Sequence, residues 1–539
     1  MIRRREFVKS SLVGAATLAS PLARTLLAAD SSSPIVATKY GKVLGASVDG
    51  VCIFKGIHYG ANPEGPGRFL PAAPPQSWSE TALALHYGNL APQNISSATG
   101  SDIRVAMGDI FGPGKASENC LVLNVWTPSV TRGRRPVMVW LHGGGYTGGS
   151  DGAPTYDGTN LARKQDVVVV GINHRLNVFG YLYLGKLSEK YADSGNVGML
   201  DCVLALQWVR DQIAHFGGDP NNVTIFGESG GGGKVSVLMA MPPAEDLFHK
   251  AIVESGSTLR VSTPDEADAA ARKYLAQLKI SAERVDDLQK VPMDDMLAAL
   301  KAMTGPHSIR LGPVVDGRSL PRQPFDPDAP AQSAKIPMII GTNGTESTAL
   351  LGIGDPSAFT LSEADMRAKL KSYLHLNDDP QLDTLLAVYK KDRPDATPSD
   401  IYFAVTTDRM MRINAISQAE RKAAQGAAPA YMYIFDWRSP VLGGKLRSPH
   451  GIELAFVFDN TDKTTGMNGT GADLAPLAAK MSAAWAAFAR TGNPHHAGLP
   501  HWPTYDTTTR ATMLFNDECQ VANDPGHEER LAMSALPTT

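Results

Sequence analysis

The chain has 539 residues, 43% of them hydrophobic and 19% charged, with a formal net charge of −3. This is an ordinary globular composition with enough apolar residues for a sizeable core, and it lacks the basic footprint that nucleic acid requires. The length allows two or three domains by simple count, or one large α/β unit with insertions.

The N-terminus differs from the body. Arg3-Arg4-Arg5-Glu6-Phe7-Val8-Lys9 precedes an apolar stretch from Leu12 to Leu27 and then Ala28-Ala29. This reads as a twin-arginine export signal over residues 1–29, with 30–539 as the mature domain and a periplasmic or secreted location. Thr17, Ser20, Pro21, Arg24 and Thr25 interrupt the stretch, so it falls short of the roughly 20 apolar residues of a membrane anchor. No later segment is long and apolar enough to span. The four cysteines, Cys52, Cys120, Cys202 and Cys519, form no C-x-x-C pair and no zinc-like cluster, so no metal is expected.

From Ile35 to about Trp126, short β-like runs alternate with Gly/Pro-rich loops such as Asn62-Pro63-Glu64-Gly65-Pro66-Gly67, which suggests an antiparallel edge and a surface excursion. Apolar runs then follow at Val137–Leu141, Val167–Ile172, Val223–Phe226, Ala251–Val253, Met338–Ile340 and Tyr431–Phe435. Strands this continuously apolar belong to a mostly parallel sheet covered by helices on both faces, an α/β architecture. Met199, Val203, Leu206, Val209, Ile213 and Phe216 recur at helical spacing before Gly217-Gly218. The stretches Thr263–Met303 and Asp355–Ala424 read as helical insertions that form a cap over the strand ends.

Chemistry centres on Val223-Thr224-Ile225-Phe226-Gly227-Glu228-Ser229-Gly230-Gly231-Gly232-Gly233. A β-prone run enters Gly-x-Ser-x-Gly, whose glycines permit the sharp strand-to-helix turn that presents Ser229 as a nucleophile. A glycine-rich turn with an incidental serine has the same letters, so the partners must decide. A serine needs a base, and the base an orienting acid, which in α/β hydrolases follow in that chain order on loops after strands. Glu346, after Met338–Ile340, and His450, after Tyr431–Phe435, occupy those places. Each competes with a plainer role, Glu346 as a solvated carboxylate and His450 as one of 13 histidines. The run His142-Gly143-Gly144-Gly145-Tyr146 offers bare backbone amides for a developing oxyanion, and the amide of Gly230 completes the set.

Two other motifs fail on context. Gly143-x-Gly145-x-x-Gly148 matches a dinucleotide fingerprint in letters, but no helix starts there and the next strand ends in Gly171-Ile172-Asn173-His174 without an acid. Gly233-Lys234 cannot close a phosphate loop, because Glu228 occupies its first glycine position and Val235 follows the lysine.

With these residues in place, the chain resembles the type-B carboxylesterase family, which includes cholinesterases and bacterial para-nitrobenzyl esterases. The similarity runs from about Val36 to Asn516. It includes Phe54-Lys55-Gly56-Ile57, the stretch Ser117–Trp126, Gly195–Asp201, Phe216-Gly217-Gly218-Asp219-Pro220, Pro313–Gly317, His450–Leu454 and Trp502–Asp506. The resemblance implies an α/β-hydrolase fold and a triad of Ser229, Glu346 and His450. It also implies an oxyanion hole of Gly144, Gly145 and Gly230, with Glu228 and Ser255 close behind the histidine. No cofactor is implied.

Several positions depart from the family. Ala91 stands where the family pairs a cysteine with Cys120. Gly230 replaces a common alanine, which predicts a looser first helical turn or extra room beside the nucleophile, since glycine costs up to about 1 kcal/mol in a helix. Lys234 stands where serine is common, and Glu254 where glutamine is. The acyl-pocket stretch reads His307-Ser308-Ile309-Arg310-Leu311-Gly312, without the aromatics of cholinesterases. His307, Ile309 and Arg310 are therefore candidate pocket residues, with Arg310 or Arg260 a candidate receptor for an acidic or polar acyl group.

The resulting expectation is an exported serine carboxylesterase acting on a small-molecule ester, monomeric or weakly dimeric, with no nucleic-acid partner. The rivals are a non-catalytic binding module on the same scaffold, and an amidase, carbamate hydrolase or acyltransferase using the same triad.

Overall fold

The computed structural model describes residues 33–94, 102–107, 112–131, 133–303 and 305–536. The expected export signal lies outside these. The strands in chain order are β1 (Ile35–Ala37), β2 (Lys42–Leu44), β3 (Ala46–Val48), β4 (Val51–His58), β5 (Ala82–Leu83), β6 (Val122–Thr127) and β7 (Arg135–Leu141). They continue with β8 (Val168–Ile172), β9 (Gly218–Glu228), β10 (Lys250–Glu254), β11 (Met338–Asn343), β12 (Ala430–Phe435), β13 (Ala511–Phe515) and β14 (Gln520–Asn523).

Eleven of these form one sheet in the spatial order β14-β13-β12-β11-β10-β9-β7-β8-β6-β4-β3, and β1, β2 and β5 make a small second sheet. From β8 to β13 every neighbouring pair is parallel. Antiparallel pairs close both ends, β3 with β4, β4 with β6, β6 with β8, and β13 with β14.

The continuous apolar runs follow from burial on both faces. In β7, Val137, Val139 and Leu141 enter one core cluster, while Met138 and Trp140 enter the other. The same two-residue alternation divides β8, β9, β11 and β12, because successive Cβ atoms leave a strand on opposite sides. The first face is covered by the helix Val197–Gln212, through Met199, Cys202, Val203, Leu206 and Val209, and by the helices Gly230–Leu238 and Ile413–Ala424. The second is covered by Thr159–Gln165 and by Leu474–Thr491, through Leu477, Met481, Trp485 and Phe488. The 197–212 helix continues as a 3₁₀ turn to Phe216 and ends at Gly217, with φ +82°.

The two expected insertions are helical. Pro264–Gln277, Ala282–Lys290 and Met293–Ala302 share one satellite core, and Glu363–Tyr373, Asp379–Lys391 and Pro398–Thr407 share another. The strands β13 and β14 and the 474–491 helix carry no motif and are not picked out by the sequence. All four cysteines are free, and Cys120 packs in the same core cluster as Ala91. Among the described residues, no helix is long and apolar enough to cross a membrane.

Candidate active site

In an open parallel sheet, ligands bind beyond the carboxyl ends of the strands, near a change in strand order. Here β7 sits between β8 and β9, so the order changes beside the strand that carries the nucleophile candidate. β9 ends at Glu228, and a helix begins at Gly230. Ser229 between them has φ 56° and ψ −123°, a conformation in which a non-glycine residue carries strain of order 1–3 kcal/mol. Its amide donates to the Glu254 carbonyl at 2.9 Å, and its carbonyl accepts from the Gly233 amide at 3.0 Å. The turn is so close to β7 that a Cβ at Gly231 would lie 1.9 Å from the Leu141 carbonyl oxygen.

The histidine candidate is built from three other strand ends. His450 Nδ1 lies 2.6 Å from Glu346 Oε2. The other oxygen, Glu346 Oε1, accepts from the Asn343 amide at 2.7 Å and the Ser255 hydroxyl at 2.6 Å. Glu346 therefore faces His450 with one oxygen, while the other is already held by residues at the ends of β10 and β11. On the far side of the ring, His450 Nε2 is 3.0 Å from Glu228 Oε1. The angle is not that of a hydrogen bond, and neither atom has a hydrogen-bond partner, so His450 Nε2 makes no hydrogen bond to Ser229 Oγ. Contacts between catalytic groups commonly tighten only when substrate is bound.

Three buried glutamates, 228, 346 and 453, act on this ring, and a fourth, Glu254, lies behind Glu228 and Glu453. Burial alone pushes the His450 pKa down, but the carboxylates of Glu228 and Glu346 outweigh it and raise it. Burial raises the Glu228 carboxyl, which His450 partly offsets. Glu453 is raised too, chiefly by burial and then by Glu228. It accepts from Asn343 Nδ2, which also holds the Pro449 carbonyl at 3.0 Å and so fixes the loop before His450. Asn343 and Glu453 are the residues that sequence reasoning missed, and the His450-x-x-Glu453 spacing is the signal it had. Glu254 is pushed up to about 8 by burial and accepts from Trp485 Nε1 at 2.8 Å. A neutral carboxylic acid has nearly the shape of an amide, which accounts for glutamate standing where glutamine is common.

A pH prediction follows from Glu228. With His450 as the candidate base, which must be neutral to take a proton, activity is expected above its pKa and is lost as pH falls through it. Glu228→Gln removes a carboxylate that raises this pKa, so the acid limb of the kcat/KM profile is expected to move to lower pH. An unmoved limb in stopped-time rate profiles would show that Glu228 does not act on His450.

The glycine loop after β7 approaches the nucleophile. A Cβ on Gly143 would lie 2.9 Å from Glu228 Oε2 and 3.5 Å from Ser229 Cβ. Gly144 and Gly145 adopt φ +87° and +63°, the left-handed region that favours glycine. At Gly230 the structure corrects the expectation of extra room: a Cβ there would sit 2.2 Å from the Gly145 carbonyl oxygen. The space that an alanine would fill is occupied by the loop backbone.

The candidate pocket residues are more peripheral. His307 and Arg310 are exposed, and Ile309 is half-buried against the core of the first insertion. The stretch meets the glycine loop through Gly312, which faces the Tyr146 ring. Arg260 is exposed and paired with Asp326 at 2.7 Å. Its charge is thus committed to a neighbouring carboxylate.

The sheet, its switch in strand order and the Gly227–Gly231 turn at the carboxyl end of β9 define an α/β-hydrolase fold. The family model described as "Carboxylesterase family" matches residues 32–533. The para-nitrobenzyl esterase of Bacillus subtilis (strain 168) is 35% identical over 503 residues, covering 92% of this chain and 97% of its own. The liver carboxylesterase of Sus scrofa is 36% identical over 572 residues, covering 94% and 96%. The crystal structure of a Geobacillus stearothermophilus carboxylesterase at pH 6.2 superimposes with a TM-score of 0.80 at 36% identity, covering 93% of this chain and 99% of that one. The chain belongs to the carboxylesterase family, and its reaction is hydrolysis of a carboxylic ester.

Proposed function

We propose that this hydrolase works through an acyl-enzyme on Ser229, with His450 as the base, Glu346 as its orienting acid and the amides of Gly144, Gly145 and Gly230 as oxyanion donors. The observation that carries the reading is the 2.6 Å contact between Glu346 Oε2 and His450 Nδ1. With Glu346 Oε1 already saturated by Asn343 and Ser255, the carboxylate accepts Nδ1–H and leaves the Nε2 lone pair free to take a proton.

Ser229 Oγ forms a bond to the ester carbonyl carbon as its proton moves to His450 Nε2, and the carbonyl π pair moves onto oxygen. The amide dipoles meet that charge without reorganising, because the loop and helix already hold them. Collapse breaks the C–O bond to the alcohol, which leaves with the proton from Nε2. Water, deprotonated by the same nitrogen, then attacks the acyl carbon. The acid departs and Ser229 recovers its proton.

Labelling with a fluorophosphonate, followed by peptide mass spectrometry, tests the assignment. The adduct is expected on the peptide that carries Ser229. An adduct on another serine, or none at all, overturns it. The similarity to a para-nitrobenzyl esterase supports para-nitrobenzyl esters as rate probes.

We also propose export, supported by Arg4-Arg5-x-Phe7-Val8-Lys9 ahead of an interrupted apolar stretch. Changing Arg4 and Arg5 to lysine is expected to leave esterase activity in the cytoplasmic fraction of the host, where the unaltered chain delivers it outside. Equal distribution of the two would refute a twin-arginine signal.

A further inference from the structure

Lys234 is fully buried in the helix that follows the nucleophile turn. A buried ammonium is costly unless its hydrogen bonds are met, so its position calls for an account. Its Nζ donates to two main-chain carbonyls of the glycine loop, that of His142 at 3.0 Å and that of Gly145 at 2.9 Å. It also lies 5.5 Å from the centre of the Tyr146 ring.

These two carbonyls belong to the peptide units that bracket Gly143-Gly144-Gly145. Between them, the Gly143 carbonyl is 2.8 Å from His142 Nδ1, and the Gly144 carbonyl accepts from the Gly148 amide at 3.1 Å. Burial and the nearby Lys234 push the His142 pKa down to about 3, so the ring is neutral and Nδ1–H is the donor that a carbonyl requires. Four consecutive carbonyls thus each have a donor, the outer two from Lys234 and the inner two from His142 and Gly148. Each peptide carries its N–H opposite its C=O, so the Gly144 and Gly145 amides share peptides with the inner two carbonyls, and Lys234 holds the peptides on either side of them.

The same Gly145 oxygen is the atom that a Cβ at residue 230 would meet at 2.2 Å. The cation and the missing side chain therefore act on one point.

We propose that Lys234 is a positioning residue of the oxyanion loop: its ammonium draws the Gly145 carbonyl onto the nucleophile helix, into space that exists only because residue 230 is glycine, and with its bond to the His142 carbonyl it clamps both ends of the segment whose Gly144 and Gly145 amides meet the reacting oxygen. The proposal rests on the oxyanion reading given above.

Four variants test it: Lys234→Met, Gly230→Ala, the pair together, and Ser229→Ala. Methionine keeps the buried stem and removes the cost of a buried ammonium, but it leaves the His142 and Gly145 carbonyls without this donor, so the two effects on folding oppose each other. Lys234→Met is therefore expected to change Tm little, with kcat lowered by about 10²-fold and KM little changed, as for loss of one oxyanion donor. Gly230→Ala drives the Gly145 carbonyl off its lysine and is expected to lose a similar factor. In the double variant the carbonyl is no longer tethered and can yield to the methyl group, so the second change adds little to the first.

Wild-type kcat in Lys234→Met, or losses that simply multiply, would overturn the proposal. A fall in kcat that only tracks a fall in Tm would equally reduce Lys234 to a structural role. If Lys234→Met does not fold, Lys234→Gln, which keeps one donor group, carries the same comparison. Ser229→Ala separates the two levels: an active Ser229→Ala sinks the mechanism, whereas an inactive one beside an unaffected Lys234→Met sinks only the positioning role.

Discussion

Ser229→Ala is expected to lower kcat for a para-nitrobenzyl ester by about 10⁶-fold, because in the proposed mechanism nucleophile and base act as a unit and removing one disables both. At about 1.36 kcal/mol per factor of ten, that is roughly 8 kcal/mol of lost transition-state stabilisation. The remaining rate over water comes from the oxyanion donors and substrate binding. Stability should hardly move, since the backbone bonds from the Ser229 amide to Glu254 and from the Gly233 amide to Ser229 persist in alanine. Alanine also inherits the same strained φ of 56°. Retention of more than about a thousandth of the turnover would place the nucleophile elsewhere.

Glu346→Gln is the second large effect, an expected loss of about 10⁴-fold in kcat. Size is nearly unchanged, so the loss comes from proton placement. The Asn343 amide and the Ser255 hydroxyl both donate to the Oε1 side, and they will select the amide oxygen of glutamine there. The glutamine NH₂ then faces His450 Nδ1, which must become an acceptor. The ring proton moves to Nε2, and that nitrogen can no longer take the serine proton. The check is single-turnover kinetics beside a thermal melt. Near-wild-type rates with intact folding would mean that another acid orients the ring, and Glu453 is the buried carboxyl to try next.

The same residues show how far the sequence could be read. The central strands were legible because burial on both faces leaves uninterrupted apolar runs, as in Val168–Ile172. Ser229 stood out because a strand-to-helix turn tight against Leu141 and Gly145 requires glycine around it. Glu346 and His450 were legible only by their order after β11 and β12. The edge strand β14 was not, since a short half-exposed run such as Gln520–Asn523 carries little periodicity.

Sequence by itself determined the fold class, because that depends on local patterning and chain order, and it picked out candidate reactive side chains and, through the family resemblance, the places where this chain departs from its relatives. It could not determine what those departures do. Gly230 read alone predicts slack, and Lys234 read alone predicts nothing. Only the tertiary structure brings the Gly145 carbonyl from the loop after β7 to within 2.9 Å of Lys234, at the spot where a residue-230 side chain would stand. That contact joins positions nearly ninety residues apart in the chain. No local rule encodes it, since it depends on how closely β7 and β9 pack in the finished sheet.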